Sequence, residues 1–124
     1  MKKRLLIVDN NYDVAQMLSL HAQLREIKVY IATDAKEARQ ALNTFKPDWV
    51  LLELRLPKES GLLLIRDIKK NLFGTNIHIT IYSTQDDPIT VQTAFELGAN
   101  DFISKPSPLS KIFRSFENHF LSHH

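Results

Sequence analysis

Six polar residues follow directly on apolar runs, and their types suit the chemistry of a divalent cation and a phosphoryl group. Asp9 and Asn10 follow Leu5 to Val8, Glu53 ends the run Trp49 to Leu52, Ser83 and Thr84 follow Ile77 to Tyr82, and Lys105 comes just after Phe102 and Ile103. Two carboxylates and an amide offer the oxygen ligands that a hard cation such as magnesium takes, while an ammonium stabilises anionic oxygens and a hydroxyl can bond to them. The chemistry requires a fold that gathers residues from both ends of the chain.

The elements needed for this are legible in two alternating periods. Short apolar runs of strand length are Leu5 to Val8, Val29 to Ala32, Trp49 to Leu52, Ile77 to Tyr82, and Phe102 to Ile103. Between them, apolar residues recur three and four apart: Val14, Met17, Leu18 and Leu24; Ala35, Ala38, Leu42 and Phe45; Leu62, Ile65, Ile68 and Leu72; Val91, Ala94 and Phe95. Each set is expected to cover one face of a helix. A last helix carries Leu109, Ile112, Phe113, Phe116 and Phe120 on one stripe, with Ser107 as its expected cap and Pro108 as its first residue. Asp87-Pro88 gives the same signal before the fourth helix, and Asp34 with Glu37 resembles a capping box before the second. This βα repetition, with no linker, repeat or low-complexity segment, predicts one α/β domain over residues 1–124 with a parallel sheet covered on both faces. Ligands of open parallel sheets bind outside the carboxyl ends of the strands, so the six polar residues are expected at one edge.

Composition narrows the function. The chain has 124 residues, 44% hydrophobic and 24% charged, which is the balance of an ordinary globular protein that needs no disulfide or structural metal. Cysteine is absent, which removes disulfide frameworks, thiolate metal sites and cysteine nucleophiles together. Lys2-Lys3-Arg4 before an apolar run resembles the start of a secretory signal, but Asp9 ends the run too early. No stretch approaches the roughly 20 apolar residues of a membrane helix, so a cytoplasmic location without membrane contact is the expectation. The net charge of +2 is small and both signs are scattered, which argues against a dedicated nucleic-acid surface. The tail Ser122-His123-His124 is assigned no function.

Four segments in order then carry a resemblance to the receiver domains of two-component response regulators, from about Lys3 to about Phe120. Leu6-Ile7-Val8-Asp9-Asn10 looks like the first strand with its acidic pair. Leu51-Leu52-Glu53-Leu54-Arg55-Leu56-Pro57 followed by Gly61 looks like the phospho-acceptor segment. Tyr82-Ser83-Thr84 sits at the hydroxyl position, and Gly98-Ala99-Asn100-Asp101-Phe102-Ile103-Ser104-Lys105-Pro106 is similar to the fifth-strand signature. The resemblance implies a flavodoxin-like, doubly wound, five-stranded parallel sheet in the order 2-1-3-4-5 with five helices, and a cis Lys105-Pro106 bond. It also implies roles. The third-strand aspartate attacks a phosphohistidine, and magnesium sits on the positions of Asp9, Asn10, Glu53 and the backbone carbonyl of Arg55. Ser83, Thr84 and Lys105 stand at the phosphoryl-contact positions, and Phe102 at the switch aromatic.

The sequence departs from that pattern at three places. Glu53 stands where the family has aspartate, Asn10 takes the second place of the acidic pair, and Thr84 replaces the usual alanine or glycine. Glutamate moves the carboxylate outward by a methylene, about 1.5 Å. A misplacement of roughly 1 Å can cost on the order of 10²-fold in an in-line reaction. Two carboxylates rather than three should weaken magnesium binding, so no cofactor is required. Glu53 can instead pair with Lys105 or accept a bond from Ser83, partly imitating a phosphorylated site. Blander roles stand beside these: Asp9 and Asn10 as caps of the first helix, Lys105 as a structural partner of Asp9 or Glu53, Ser83 bonded to loop backbone, Phe102 as core, and His78 and Tyr82 as packing residues.

The leading reading is a pseudo-receiver that is not phosphorylated at the usual site and acts by protein–protein interaction around its fourth and fifth helices, with a histidine kinase, an output domain or another signalling protein. The alternative keeps phosphotransfer, with Glu53 accepting phosphate beside magnesium. A homodimer is compatible with either, whereas nucleic-acid output finds no recognition helix in these residues. Flavodoxin-like FMN binding is disfavoured because the first loop, Asp9-Asn10-Asn11-Tyr12, is acidic and lacks glycine. A dehalogenase-type phosphatase wants an aspartate where Asn11 stands.

Overall fold

The computed structural model describes residues 2–70 and 76–121. Five strands, β1 (Arg4–Val8), β2 (Lys28–Ala32), β3 (Trp49–Leu52), β4 (His78–Ser83) and β5 (Asp101–Ser104), alternate with helices α1 (Tyr12–Gln23), α2 (Ala35–Thr44), α3 (Gly61–Lys69), α4 (Pro88–Leu97) and α5 (Leu109–Phe116). The last helix continues into a π-helical turn, Glu117–Leu121. All strand pairings are parallel and the order is β2-β1-β3-β4-β5, as the resemblance implies.

The near-continuous apolar runs form central strands because both faces of the sheet are covered. Alternate side chains separate into two cores. Leu6, Val8, Val50, Leu52, Ile79 and Ile81 pack with Leu42, Ile65, Ile68 and Ala94 on the side of α2, α3 and α4. Leu5, Ile7, Trp49, Leu51 and Tyr82 pack with Ala15, Leu18, Ile112, Phe113 and Phe116 on the side of α1 and α5. Edge strand β2 reads differently, with Lys28 and Tyr30 turned to solvent.

Several local expectations need correction. In α1 the buried face is Ala15, Leu18, Ser19 and Ala22, while Met17 and Leu24 are exposed, because small residues let this helix lie close to the sheet and turn its longer side chains outward. Phe95 of α4 is likewise exposed. Asn11, not Asp9 or Asn10, caps α1, accepting from the Val14 N–H at 3.2 Å. Ser107 does not cap α5. Its hydroxyl donates to the Ser104 carbonyl at 2.6 Å, and the helix begins one residue later with Pro108 as an N-cap that has no side-chain bond. Asp34 and Asp87 cap α2 and α4 as expected, although Glu37 reaches back to the Thr33 N–H rather than to its capping partner. Leu72 lies outside the described residues, as do Ser122, His123 and His124.

Candidate functional site

The strand order reverses between β1 and β3, and the crevice at that switch point opens at their carboxyl ends. Backbone bonds fix the residues there. The Asp9 N–H donates to the Ala32 carbonyl at 3.0 Å, the Glu53 N–H to the Val8 carbonyl at 2.9 Å, and the Lys105 N–H to the Ser83 carbonyl at 3.0 Å. Each site residue is thus held to the end of a neighbouring strand.

Their side chains meet. The Lys105 Nζ lies 2.7 Å from Asp9 Oδ2 and 3.0 Å from Glu53 Oε1. The remaining oxygens are also engaged, Asp9 Oδ1 by the Asn11 N–H at 2.8 Å and Glu53 Oε2 by the Arg55 N–H at 3.1 Å. All four carboxylate oxygens therefore accept a hydrogen bond from this chain. Asp9 and Glu53 are buried at 3% and 5% exposure, so few water molecules share the work. Burial disfavours the Lys105 ammonium, but its bonds to Asp9 and Glu53 and their charges outweigh that and hold its pKa above the ordinary lysine value. Close by, the Lys105-Pro106 bond is cis.

Of the expected partners for Glu53, the structure selects Lys105. Ser83 is fully buried, and its hydroxyl oxygen accepts from the Gln85 N–H at 3.0 Å, the bland role. Asn10, Arg55 and Thr84 line an open groove of about 540 Å³ above the cluster, with Val14, Met17, Tyr82, Pro106 and Ser107 as further walls. Phe102 is half-buried against the core on the α4 side. His78 and Trp49 sit at the opposite, amino edge of the sheet, so Trp49 is no reporter for the site, whereas Tyr82 borders it.

Sequence reasoning missed two supports. Asn11 serves the site through its backbone N–H, for which no side-chain type is a signal. The second support is a brace around the loop that follows β3. Arg39 on α2 forks onto Glu59 at 2.8 and 2.6 Å and reaches Asp67 on α3 at 2.8 Å. Hydrogen bonds from Arg39 lower the pKa values of Glu59 and Asp67, and the bond to Glu59 foremost raises that of Arg39. Gly61 closes the same loop by close approach, because a Cβ there would lie 2.8 Å from the Glu53 carbonyl and 2.9 Å from Leu54 Cα.

A doubly wound sheet with two carboxylates, Asp9 and Glu53, a hydroxyl and a lysine at its switch point defines a receiver-type signalling domain. The model of the response regulator receiver domain matches residues 5–117, and the chain belongs to that family. Among curated proteins it is 32% identical over 112 residues to the transcriptional regulatory protein KdpE of Staphylococcus aureus, covering 90% of this chain and 47% of that protein. It is 29% identical over 106 residues to the DNA-binding response regulator MtrA of Mycobacterium tuberculosis (strain H37Rv), covering 86% and 45%. The chain thus spans about half the length of these relatives. Among solved structures, the signal receiver domain of a response regulator from Bermanella marisrubri superposes with a TM-score of 0.87 at 28% identity, covering 95% of this chain and 98% of that one. Among the described residues, no helix is long and apolar enough to cross a membrane.

Proposed function

We propose that this receiver domain signals by binding proteins and does not accept phosphate at Glu53. One observation carries the reading: the Glu53 carboxylate is buried and already bonded to both the Lys105 ammonium and the Arg55 N–H. The cation that would meet an incoming phosphoryl oxygen is shared between two carboxylates of the chain itself. The additional methylene also displaces any attacking oxygen by more than in-line transfer tolerates. Magnesium is disfavoured on the same geometry, since it would have to displace an ammonium from Asp9 and Glu53 with only the amide of Asn10 as compensation. The partner is an output domain, a histidine kinase or another signalling protein. It is received on the surface of α4 and α5, where Ile89 at 77% exposure and Phe95 at 46% turn apolar side chains to solvent.

Acetyl phosphate with magnesium, followed by intact mass, tests this reading. The parent gains no phosphate, Glu53→Asp and Asn10→Asp each gain little, and the double variant gains more than both together, because nucleophile and metal serve one transition state. A parent that is phosphorylated readily and loses this on Glu53→Gln would overturn the proposal and make Glu53 the acceptor. Calorimetric titration with magnesium chloride should likewise show no saturable binding in the low micromolar range.

A further inference from the structure

We propose that Arg39, remote from the cluster in sequence, is the positioning residue that keeps the candidate site closed. The inference rests on the reading above that the bonded Glu53 is the working state. The loop between β3 and α3 runs from Glu53 to Ser60, and its first part supplies the Arg55 N–H that holds Glu53 Oε2. It is a strained loop. Lys58 has φ of 69°, a left-handed conformation that side-chain-bearing residues avoid. Beside it, Glu59 is gripped in fork geometry by Arg39, which Asp67 anchors in turn to α3. A bidentate, networked pair of this kind holds geometry better than a single surface contact. The Leu56 N–H, from the start of the loop, and the Gly61 N–H, just past its end, both donate to the Leu54 carbonyl, and a Cβ on Gly61 would lie 2.8 Å from the Glu53 carbonyl. The path from α2 to the carboxylate is therefore continuous: Arg39, Glu59, along the chain to the Gly61 N–H, the Leu54 carbonyl, Arg55, Glu53. The brace opposes the strain at Lys58, and the site inherits its position from that balance.

Amide hydrogen exchange by NMR on the full chain tests the proposal, read at the Arg55 N–H with the Trp49 indole N–H as control. That indole bonds Thr80 at the opposite edge of the sheet. Arg39→Met and, independently, Glu59→Gln should speed Arg55 exchange on the order of tenfold and leave the Trp49 indole unchanged, as local opening requires. Arg39→Lys, which keeps the charge but loses the fork, should restore part of the protection. Lys58→Gly in the Arg39→Met background should restore most of it by removing the strain. Arg55 exchange within twofold of the parent in both Arg39→Met and Glu59→Gln overturns the proposal, as does equal acceleration at Trp49. The phosphorylation assay reports separately, so a phosphorylated parent with an Arg39-dependent Arg55 amide would remove the reading and leave the brace standing.

Discussion

Each edge of the sheet carries a polar cluster, and the two are built on opposite principles. At the carboxyl edge, Asp9, Glu53 and Lys105 place two negative charges and one positive charge within hydrogen-bond distance, so one negative charge is left uncompensated. At the amino edge a single carboxylate, Asp101, is surrounded by neutral or titratable donors. His78 Nε2 lies 2.7 Å from it and the Thr80 hydroxyl 3.0 Å, and the Ser115 hydroxyl also donates to it. Thr80 also accepts from the buried Trp49 indole at 2.9 Å. The amino-edge network ties β3, β4 and β5 to α5 with groups that suit one carboxylate, which is what a structural joint requires. The carboxyl-edge cluster depends on one ammonium serving two carboxylates, so any change in one member exposes the others.

The largest effect should come from removing that ammonium. Lys105→Met leaves Asp9 and Glu53 buried together without a counter-charge, and urea unfolding at pH 7 should show a loss of about 3 kcal/mol. Glu53→Gln in the same background should recover much of it. The pH dependence has a definite sign. The native pKa of Lys105 is raised, so its contribution is complete below the unfolded value of about 10.4 and fades as pH rises through the native value. Lys105→Met should flatten that alkaline limb. A loss below about 1 kcal/mol would mean the cluster behaves like a solvated surface pair, and the contrast between the two edges would collapse.

At the amino edge the penalty comes from an orphaned donor instead. Thr80→Val keeps the shape but leaves the Trp49 indole N–H buried without its acceptor, at a cost of about 2 kcal/mol in urea unfolding. Trp49 fluorescence should shift in this variant and stay constant in Lys105→Met. Asp101 adds an acid limb. Burial raises its pKa, but bonds from His78, Ser115 and Thr80 prevail and lower it. Its contribution is therefore present above the unfolded value of about 3.9 and lost as pH falls through the lower native value. Asp101→Asn should remove that loss from the acid unfolding curve, and an unchanged acid limb would detach Asp101 from the network.

Much of the carboxyl edge was legible because a parallel sheet forces residues after strands to one side. Asp9, Glu53, Ser83 and Lys105 needed only strand ends to be located. The amino-edge network was not legible, since Thr80 and Trp49 lie inside runs that read as core, and the pairing of Asp101 with His78 depends on register between strands 23 residues apart. The same reason hid Arg39, whose partners are 20 and 28 residues away. Burial in α1 was misread because periodicity marks a stripe without saying whether alanines or longer residues face the sheet, and the alanines won. At α5 the pattern Ser-Pro suggested a cap, but the Ser104 carbonyl at the end of β5 competed for the hydroxyl and prevailed.

The smallest expected effect separates side-chain from backbone support at the carboxyl edge. Asn11 does two jobs at once. Its side chain caps α1 at the Val14 N–H, and its backbone N–H donates to Asp9 Oδ1. Asn11→Ala removes the first and keeps the second, so stability should fall by about 1 kcal/mol, the usual cost of a lost N-cap. Asn11→Asp should retain the cap, since a carboxylate oxygen accepts from the same N–H and also suits the helix N-terminus. If the cluster rests on backbone donors, the Asp9–Lys105 pairing should persist in Asn11→Ala, seen as an alkaline unfolding limb that matches the parent and differs from Lys105→Met. An alkaline limb lost in Asn11→Ala would show that the cap, not the backbone N–H, holds Asp9 in place.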